Sequence, residues 1–367
     1  MRRRRHWRIR RTDTLSRYRS MVKPLRFGRR LWMLVGAGVA IVSVITIILS
    51  NRTEAGVRRD GPGDAATYQQ IIDRMQAGND FYTATGSVLR SRDYPVASVF
   101  NWREPLLPSG IAALSERGAM VVLWLLAFSL LLRARPLLQG VLGVLPILPA
   151  LVMVTIYDAM FYAELWAGIC IGHAAVSYAR NRRLSGVVWA LLALFIRELA
   201  APFCVVAAAR ALWRRERKEV VAWLIGGVAF SAYYGWHVRG VLSHIQEGDP
   251  AQRQSWLAFG GLSFVVHAFR NASGALVGLP PFLFGVLVAF AVSAWWSKTM
   301  TWHVRAGVIA YAAFFFVFGQ PFNGYWGLVV APLFGLWLAH GEAGLAALAN
   351  PVPSPRRGSV ESSSRVG

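Results

Sequence analysis

A chain of 367 residues with 55% hydrophobic and 16% charged positions and a mean hydropathy of +0.41 does not have the composition of a water-soluble protein, which carries about 25% charged residues. A net charge of +22 raises nucleic acid as a partner. Thirteen of the basic residues, however, crowd into positions 1–30 against Asp13 alone, and no folded or aromatic-interleaved nucleic-acid motif accompanies them. Cys170 and Cys204 both lie in apolar runs and point to neither a disulfide nor a metal site.

In chain order, the basic arm 1–30 reads as a cytoplasmic anchor drawn to anionic lipid, followed by a first membrane span at 31–50. Residues 51–117 form the largest polar stretch and hold eight of the eighteen acidic residues. Further spans are expected near 118–132, 137–156, 161–179, 219–237, 274–296, 306–320 and 325–340, placed by apolar length and by short Arg-rich loops that stay in the cytoplasm. Between 184 and 213 the basic flanks allow only an even number of crossings. Two short helices, 184–196 and 199–213, satisfy this if they bend back at Arg197-Glu198, a break tolerated when buried among other helices. The expected architecture is an all-α polytopic transmembrane helix bundle of about ten segments. It divides into the arm 1–30, the bundle 31–340 with the extracytoplasmic loop 51–117, and a disordered cytoplasmic tail 341–367. Within the second long outer segment, 239–273, the stretch Trp256–Arg270 has the spacing of an amphipathic interfacial helix.

Several residues stand out as chemistry in an apolar setting. Asp64 follows the turn Gly61-Pro-Gly and precedes a helical pattern containing Tyr68, which predicts a helix N-cap with its carboxylate at the outer mouth of the bundle. Arg103 and Glu104, in Asn-Trp-Arg-Glu-Pro, stand directly before the second span, where a guanidinium can grip a phosphate or pair with its neighbour. Ionisable groups inside apolar blocks are costly and mark functional sites; Glu164, Arg197 and Glu198 are three. Glu164 either faces a cavity or pairs with Arg197. Asn323, in Gln-Pro-Phe-Asn-Gly-Tyr-Trp-Gly, suits hydrogen bonding to a sugar at an outer turn, although turn chemistry and an aromatic belt explain the segment equally well. Gly168 and Gly172 form a small-xxx-small pair suited to close helix packing. Nucleophile-elbow, zinc-protease, Walker and Cys/His metal patterns are all missing.

These features resemble the GT-C superfamily of integral membrane glycosyltransferases. Asp64-Ala-Ala-Thr-Tyr68 followed by Ala77-Gly-Asn-Asp-Phe-Tyr82 is similar to a motif of its bacterial mannosyltransferase-like members. Where many members pair two acids in this loop, Ala65 follows Asp64 here, and Asp60 is the nearest upstream alternative. The resemblance implies an inverting transferase in a bacterial cytoplasmic membrane, with both termini in the cytoplasm. It would move a sugar from a polyprenyl-phosphate-linked donor to a lipid or glycan acceptor on the extracytoplasmic side. Asp64 would be the base, Arg103 and Arg197 the donor-phosphate ligands, and Tyr68, Glu104, Glu164, Glu198 and Asn323 substrate-binding or orienting groups. No organic cofactor and no nucleic-acid partner are implied; a divalent metal stays open. The alternative is a transporter or flippase of lipid-linked substrates, using the charges of the 184–213 hairpin as a gate.

Overall fold

The computed structural model describes residues 63–138, 147, 151, 153–251, 257–272 and 281–349. The arm 1–30, the span 31–50, Asp60, most of 137–156 and the segment 351–367 lie outside the described residues.

All regular elements among the described residues are helical, and none is a strand. Twelve α-helices run in order among the described residues: α1 (Asp64–Gln76), α2 (Phe81–Ser91), α3 (Leu106–Ala134), α4 (Ala163–Ala179), α5 (Arg183–Ile196), α6 (Ala201–Trp213), α7 (Arg217–Leu242), α8 (Gly261–Ala272), α9 (Pro281–Ala294), α10 (Trp302–Val317), α11 (Gly327–Leu338) and α12 (Gly341–Ala349). Among the described residues one stretch, Val99–Leu137, is long and apolar enough to cross a membrane by itself; within it the backbone leaves helical geometry at Ser115 (φ 62°, ψ 162°). Pro321–Leu338 with Gly341–Leu348 meets the same standard as a pair bent by 41°, while Arg183–Ile196 and Trp302–Val317 are apolar and shorter.

The bundle is organised around α4, buried from Ala163 to Tyr178, and α11, buried along its whole length. Their approach is set by the glycines of the small-xxx-small pair. A Cβ on Gly168 would lie 2.3 Å from the Leu328 carbonyl oxygen, and one on Gly172 would meet Leu130 and Pro332. The outward faces of the bundle are apolar. On α7, Leu224, Ile225 and Val228 are all more than 60% exposed, and α3 exposes Leu125 and Phe128 in the same way.

The helical hairpin expected at 184–213 is present. α5 ends where Arg197 takes an extended conformation (φ −157°, ψ 122°). One turn of 3₁₀-helix, Glu198–Ala200, follows, and α6 begins with Pro202 in its first turn, where a missing N–H costs nothing.

Three details differ from expectation. Gly63, not Asp64, is the N-cap of α1, and its end has no side-chain cap. The capping carboxylate is Asp80, which accepts from the Tyr82 and Thr83 amides at the start of α2. The amphipathic helix near the second long outer segment spans Gly261–Ala272. Finally, the first nine residues of the segment expected as a disordered tail are helical, as α12. Its alanines and leucines favour helix against its two glycines, and Gly341 and Gly344 pack so closely on Phe290 and the Ser293 carbonyl of α9 that a Cβ at either position would clash.

α1 and α2 form a cap with its own small core, in which Ile71, Phe81, Val88, Leu89 and Trp102 gather around Val241 near the end of α7. The Arg90 guanidinium fixes this cap laterally. Its Nε and Nη2 donate to the two Asp249 carboxylate oxygens at 2.8 and 2.7 Å, and Nη2 also reaches the His244 carbonyl at 2.6 Å. Those Arg90 hydrogen bonds, more than anything else, hold the Asp249 carboxyl below its ordinary value of 3.8. A folded-state pKa below the unfolded one means that the pair's contribution is complete above pH about 4 and is lost as pH falls through the folded value. Amide protection in α2, measured against the intrinsic exchange rate at each pH, should therefore fall on acidification below pH about 4. Asp249→Asn should show the lower protection already at neutral pH and lose this part of the pH dependence; an α2 that exchanges identically in both proteins would show that the pair does not hold the cap.

Candidate functional site

The charged residues singled out in the sequence converge at one end of the bundle, beneath the cap. Arg197, carried to the α5–α6 break, is 1% exposed and is surrounded by carboxyl groups. Its Nε donates to Glu164 Oε1 at 2.9 Å. Its Nη1 lies 2.7 Å from Glu198 Oε1 and 3.6 Å from Glu104 Oε2. Glu104 Oε1 accepts from the Glu198 backbone N–H at 2.9 Å, which fastens the segment before α3 to the break. Of the two expectations for Glu164, pairing with Arg197 is the one seen.

Arg197 accordingly does not stand open to a ligand. Buried and ringed by Glu164, Glu104 and Glu198, it ties α4, the α3 entry and the hairpin break together. The expectation that it binds a donor phosphate is corrected on this ground: an anion would have to displace three carboxyls from a guanidinium that has almost no contact with solvent. Glu104, expected as a partner for its neighbour Arg103, instead turns toward Arg197.

Arg103 remains half-buried and is held by tyrosines. Nε donates to the Tyr68 hydroxyl at 2.8 Å and Nη2 to the Tyr325 hydroxyl at 2.7 Å, and its guanidinium lies 5.4 Å from the Tyr68 ring centre. Tyr162 completes the collar, 6.3 Å from Tyr68 and 5.1 Å from Tyr325 between ring centres. Asp64 sits one helical turn before Tyr68 on the same face of α1, is only partly buried, and accepts a hydrogen bond from the Tyr94 hydroxyl. Burial first, and then the Asp64 charge, push the Tyr94 hydroxyl up to about 12, so it keeps its proton at neutral pH and can donate to the carboxylate. Burial likewise raises Tyr68, against the pull of Arg103. The charges of Asp64 and Glu164 both act on Arg103, which joins the open Asp64 and Arg103 to the closed Arg197 cluster.

A narrow cleft opens beside this assembly, lined by Tyr68, Ile72, Phe81, Arg103, Glu104, Leu107 and Phe161 among others. Asn323 is not among the residues that line the cleft. It is 2% exposed in the 3₁₀ turn Pro321–Trp326, and its Nδ2 has no hydrogen-bond partner among the described residues. Its expected sugar contact is therefore not available here; the neighbouring Tyr325 is the residue of that turn that enters the site.

Tyr94 and Tyr162 were not singled out by the sequence. A tyrosine is an ordinary residue at a helix boundary, and only the fold shows that Tyr162 packs on the two tyrosines holding the Arg103 guanidinium and that Tyr94 bonds to Asp64. His173, on the same helix as Glu164, belongs elsewhere: its ring pairs with Arg133 and Ser129 and stacks on Trp189 toward the other end of α4. No group of three His, Cys, Asp or Glu able to hold a metal occurs among the described residues.

No family model matches the chain, and neither a curated protein nor a solved structure compared with it does.

Proposed function

We propose that this chain is an integral membrane glycosyltransferase. It takes a sugar from a polyprenyl-phosphate-linked donor and passes it to a lipid or glycan acceptor on the extracytoplasmic side of a bacterial cytoplasmic membrane, within a bundle of about ten membrane segments. The observation that carries the reading is the meeting of a partly exposed carboxylate, Asp64, with a half-buried arginine in a tyrosine collar, at one end of a helical bundle with apolar outer faces. Exposed apolar surface of that extent is not viable in water and is ordinary against lipid.

In this reaction Asp64 accepts the proton of an acceptor hydroxyl as its oxygen bonds to the anomeric carbon. The bond from that carbon to the donor phosphate oxygen breaks on the opposite side, and the phosphate leaves with the electron pair. Arg103 meets the charge that develops there. A single displacement inverts the anomeric centre. Tyr94 keeps Asp64 oriented, Tyr68 and Tyr325 hold the guanidinium, and the Arg197 cluster fixes the elements that carry them. A transporter would use the hairpin break as a gate. An Arg197 saturated by three carboxyls speaks for a fixed break instead.

Purified protein in liposomes, supplied with polyprenyl-phosphate-linked sugars and monitored for release of polyprenyl phosphate, tests the reading. Asp64→Asn should lower turnover by about 10²–10⁴-fold, the range for loss of a general base, with protein yield and membrane insertion unchanged. Turnover equal to the parent's would remove Asp64 from the mechanism, and movement of intact lipid-linked sugar across the bilayer without bond cleavage would favour the transporter.

A further inference from the structure

At the opposite end of the bundle, the last turns of α4 and α6 and the first turns of α5, α7 and α10 enclose a polar pocket. It is lined by Tyr178, Arg183, Arg210, Arg214, Thr301 and His303, with Glu216 and Glu219 at one side. Its charges are not balanced internally. Arg183 pairs with Glu216, whereas Arg210 and Arg214 have no carboxylate partner among the described residues. Arg210 is instead held in place by aromatic faces, with its guanidinium 5.0 Å from the Trp302 ring centre and 5.3 Å from that of Trp213. His303 is stacked on Tyr178 at 3.9 Å. Four polar atoms of the lining are shut away from solvent without a hydrogen-bond partner among the described residues: Tyr178 Oη, Glu219 Oε1, Thr301 Oγ1, on the N-cap residue of α10, and His303 Nε2. The two hydroxyls, and His303 Nε2 in its N–H tautomer, are donors left unmatched at a cost, which a ligand supplying oxygen atoms would relieve.

A second cavity adjoins the first. It is lined by Leu137, Leu138, Val176, Val304 and Leu336, and it shares Ala179 and Thr301 with the polar pocket. A basic, aromatic-framed pocket thus opens directly onto an apolar one. We infer that the two together form a binding site for a phospholipid of net negative head group, its phosphate between Arg210 and Arg214 and its chain in the cavity beside Val176 and Leu336. Arginine forks match phosphate oxygens in pairs, and basic pockets between membrane helices are suited to anionic head groups. This inference rests on the membrane placement proposed above but not on the chemistry at Asp64.

The test uses the full chain in detergent, titrated with phosphatidylglycerol, with phosphatidylcholine and with inorganic phosphate, and follows its thermal midpoint together with lipid retention by native mass spectrometry. Phosphatidylglycerol should raise the midpoint and stay bound; phosphatidylcholine and inorganic phosphate should not. Arg210→Gln/Arg214→Gln should weaken phosphatidylglycerol binding by about 25-fold, given roughly fivefold for each of the two basic residues near a lipid phosphate. If the double variant has a lowered midpoint without lipid, Arg214→Gln alone, at an exposed position, gives the same comparison at about fivefold. Equal binding by parent and variants would overturn the site. A shift of the same size from inorganic phosphate would overturn the lipid assignment. Asp64→Asn should bind phosphatidylglycerol as the parent does, so failure of the transfer reading and failure of this one are seen separately.

Discussion

Arg197→Ala should be recovered poorly and with a thermal midpoint far below the parent's, a loss of about 3–5 kcal/mol as expected when one member of a buried ion cluster is removed. The magnitude follows from what is left behind. Glu164 is fully buried and Glu104 is 2% exposed, so neither carboxyl can turn to water once the guanidinium is gone. One oxygen of each already lacks a hydrogen-bond partner, which leaves no slack in the cluster. Arg197→Lys keeps a charge but not the fork that spans Nε and Nη1, and it should fall between the two. Detergent-solubilised protein followed by size-exclusion chromatography and thermal melting reads the difference. A monodisperse Arg197→Ala protein that melts with the parent would show that the cluster does not hold the break.

Gly168→Val is the second large effect. Even the first added carbon would lie 2.3 Å from the Leu328 carbonyl oxygen and 3.0 Å from that of Val329. Both are backbone atoms of α11, so no side chain can rotate to relieve the contact and the helix itself must move. Overpacking costs typically 1–3 kcal/mol and more where relief requires backbone shifts. Displacing α11 also displaces the turn before it, and with it Tyr325 from Arg103, so turnover should fall together with the melting temperature. Gly227→Ala, in α7, is the control. Nothing lies within 4 Å of its added carbon, and it should gain slightly, because alanine is the better helix former by about 1 kcal/mol. Parity between the two variants would discount the close approach of α4 and α11.

Much of this arrangement is legible in the sequence where the signal is local. Apolar run length and basic loop residues place helices close to where α4 to α7, α10 and α11 begin and end, whereas α3 starts twelve residues before the expected span; the parity of charges around 184–213 exposes the Arg197 break. Gly168 and Gly172 announce a close helix contact without naming its partner. What fails to be legible depends on long-range geometry. Adjacent Arg103 and Glu104 look like a pair, yet successive residues in an extended segment point to opposite sides, and each finds its partners on a different element. Asp64 has the composition of a cap and serves instead as an acceptor for Tyr94, thirty residues later. The helix Gly341–Ala349 is hidden among tail-like residues because its stability comes from seating on α9.

The cap of α1 and α2 carries a consequence for the order in which the molecule assembles. Its core is closed by Val241 at the end of α7, its lateral tie joins residues 159 positions apart, and the Ala97 amide bonds to the Pro250 carbonyl at 3.1 Å. The cap is therefore made early in synthesis and completed late. Until α7 has emerged, α1 and α2 lack the surface they pack on, and such distant pairings form slowly. A nascent chain ending before residue 217 should hold the cap in a protease-sensitive form, so that closure of the Asp64 region reports that the helices through α7 are in place.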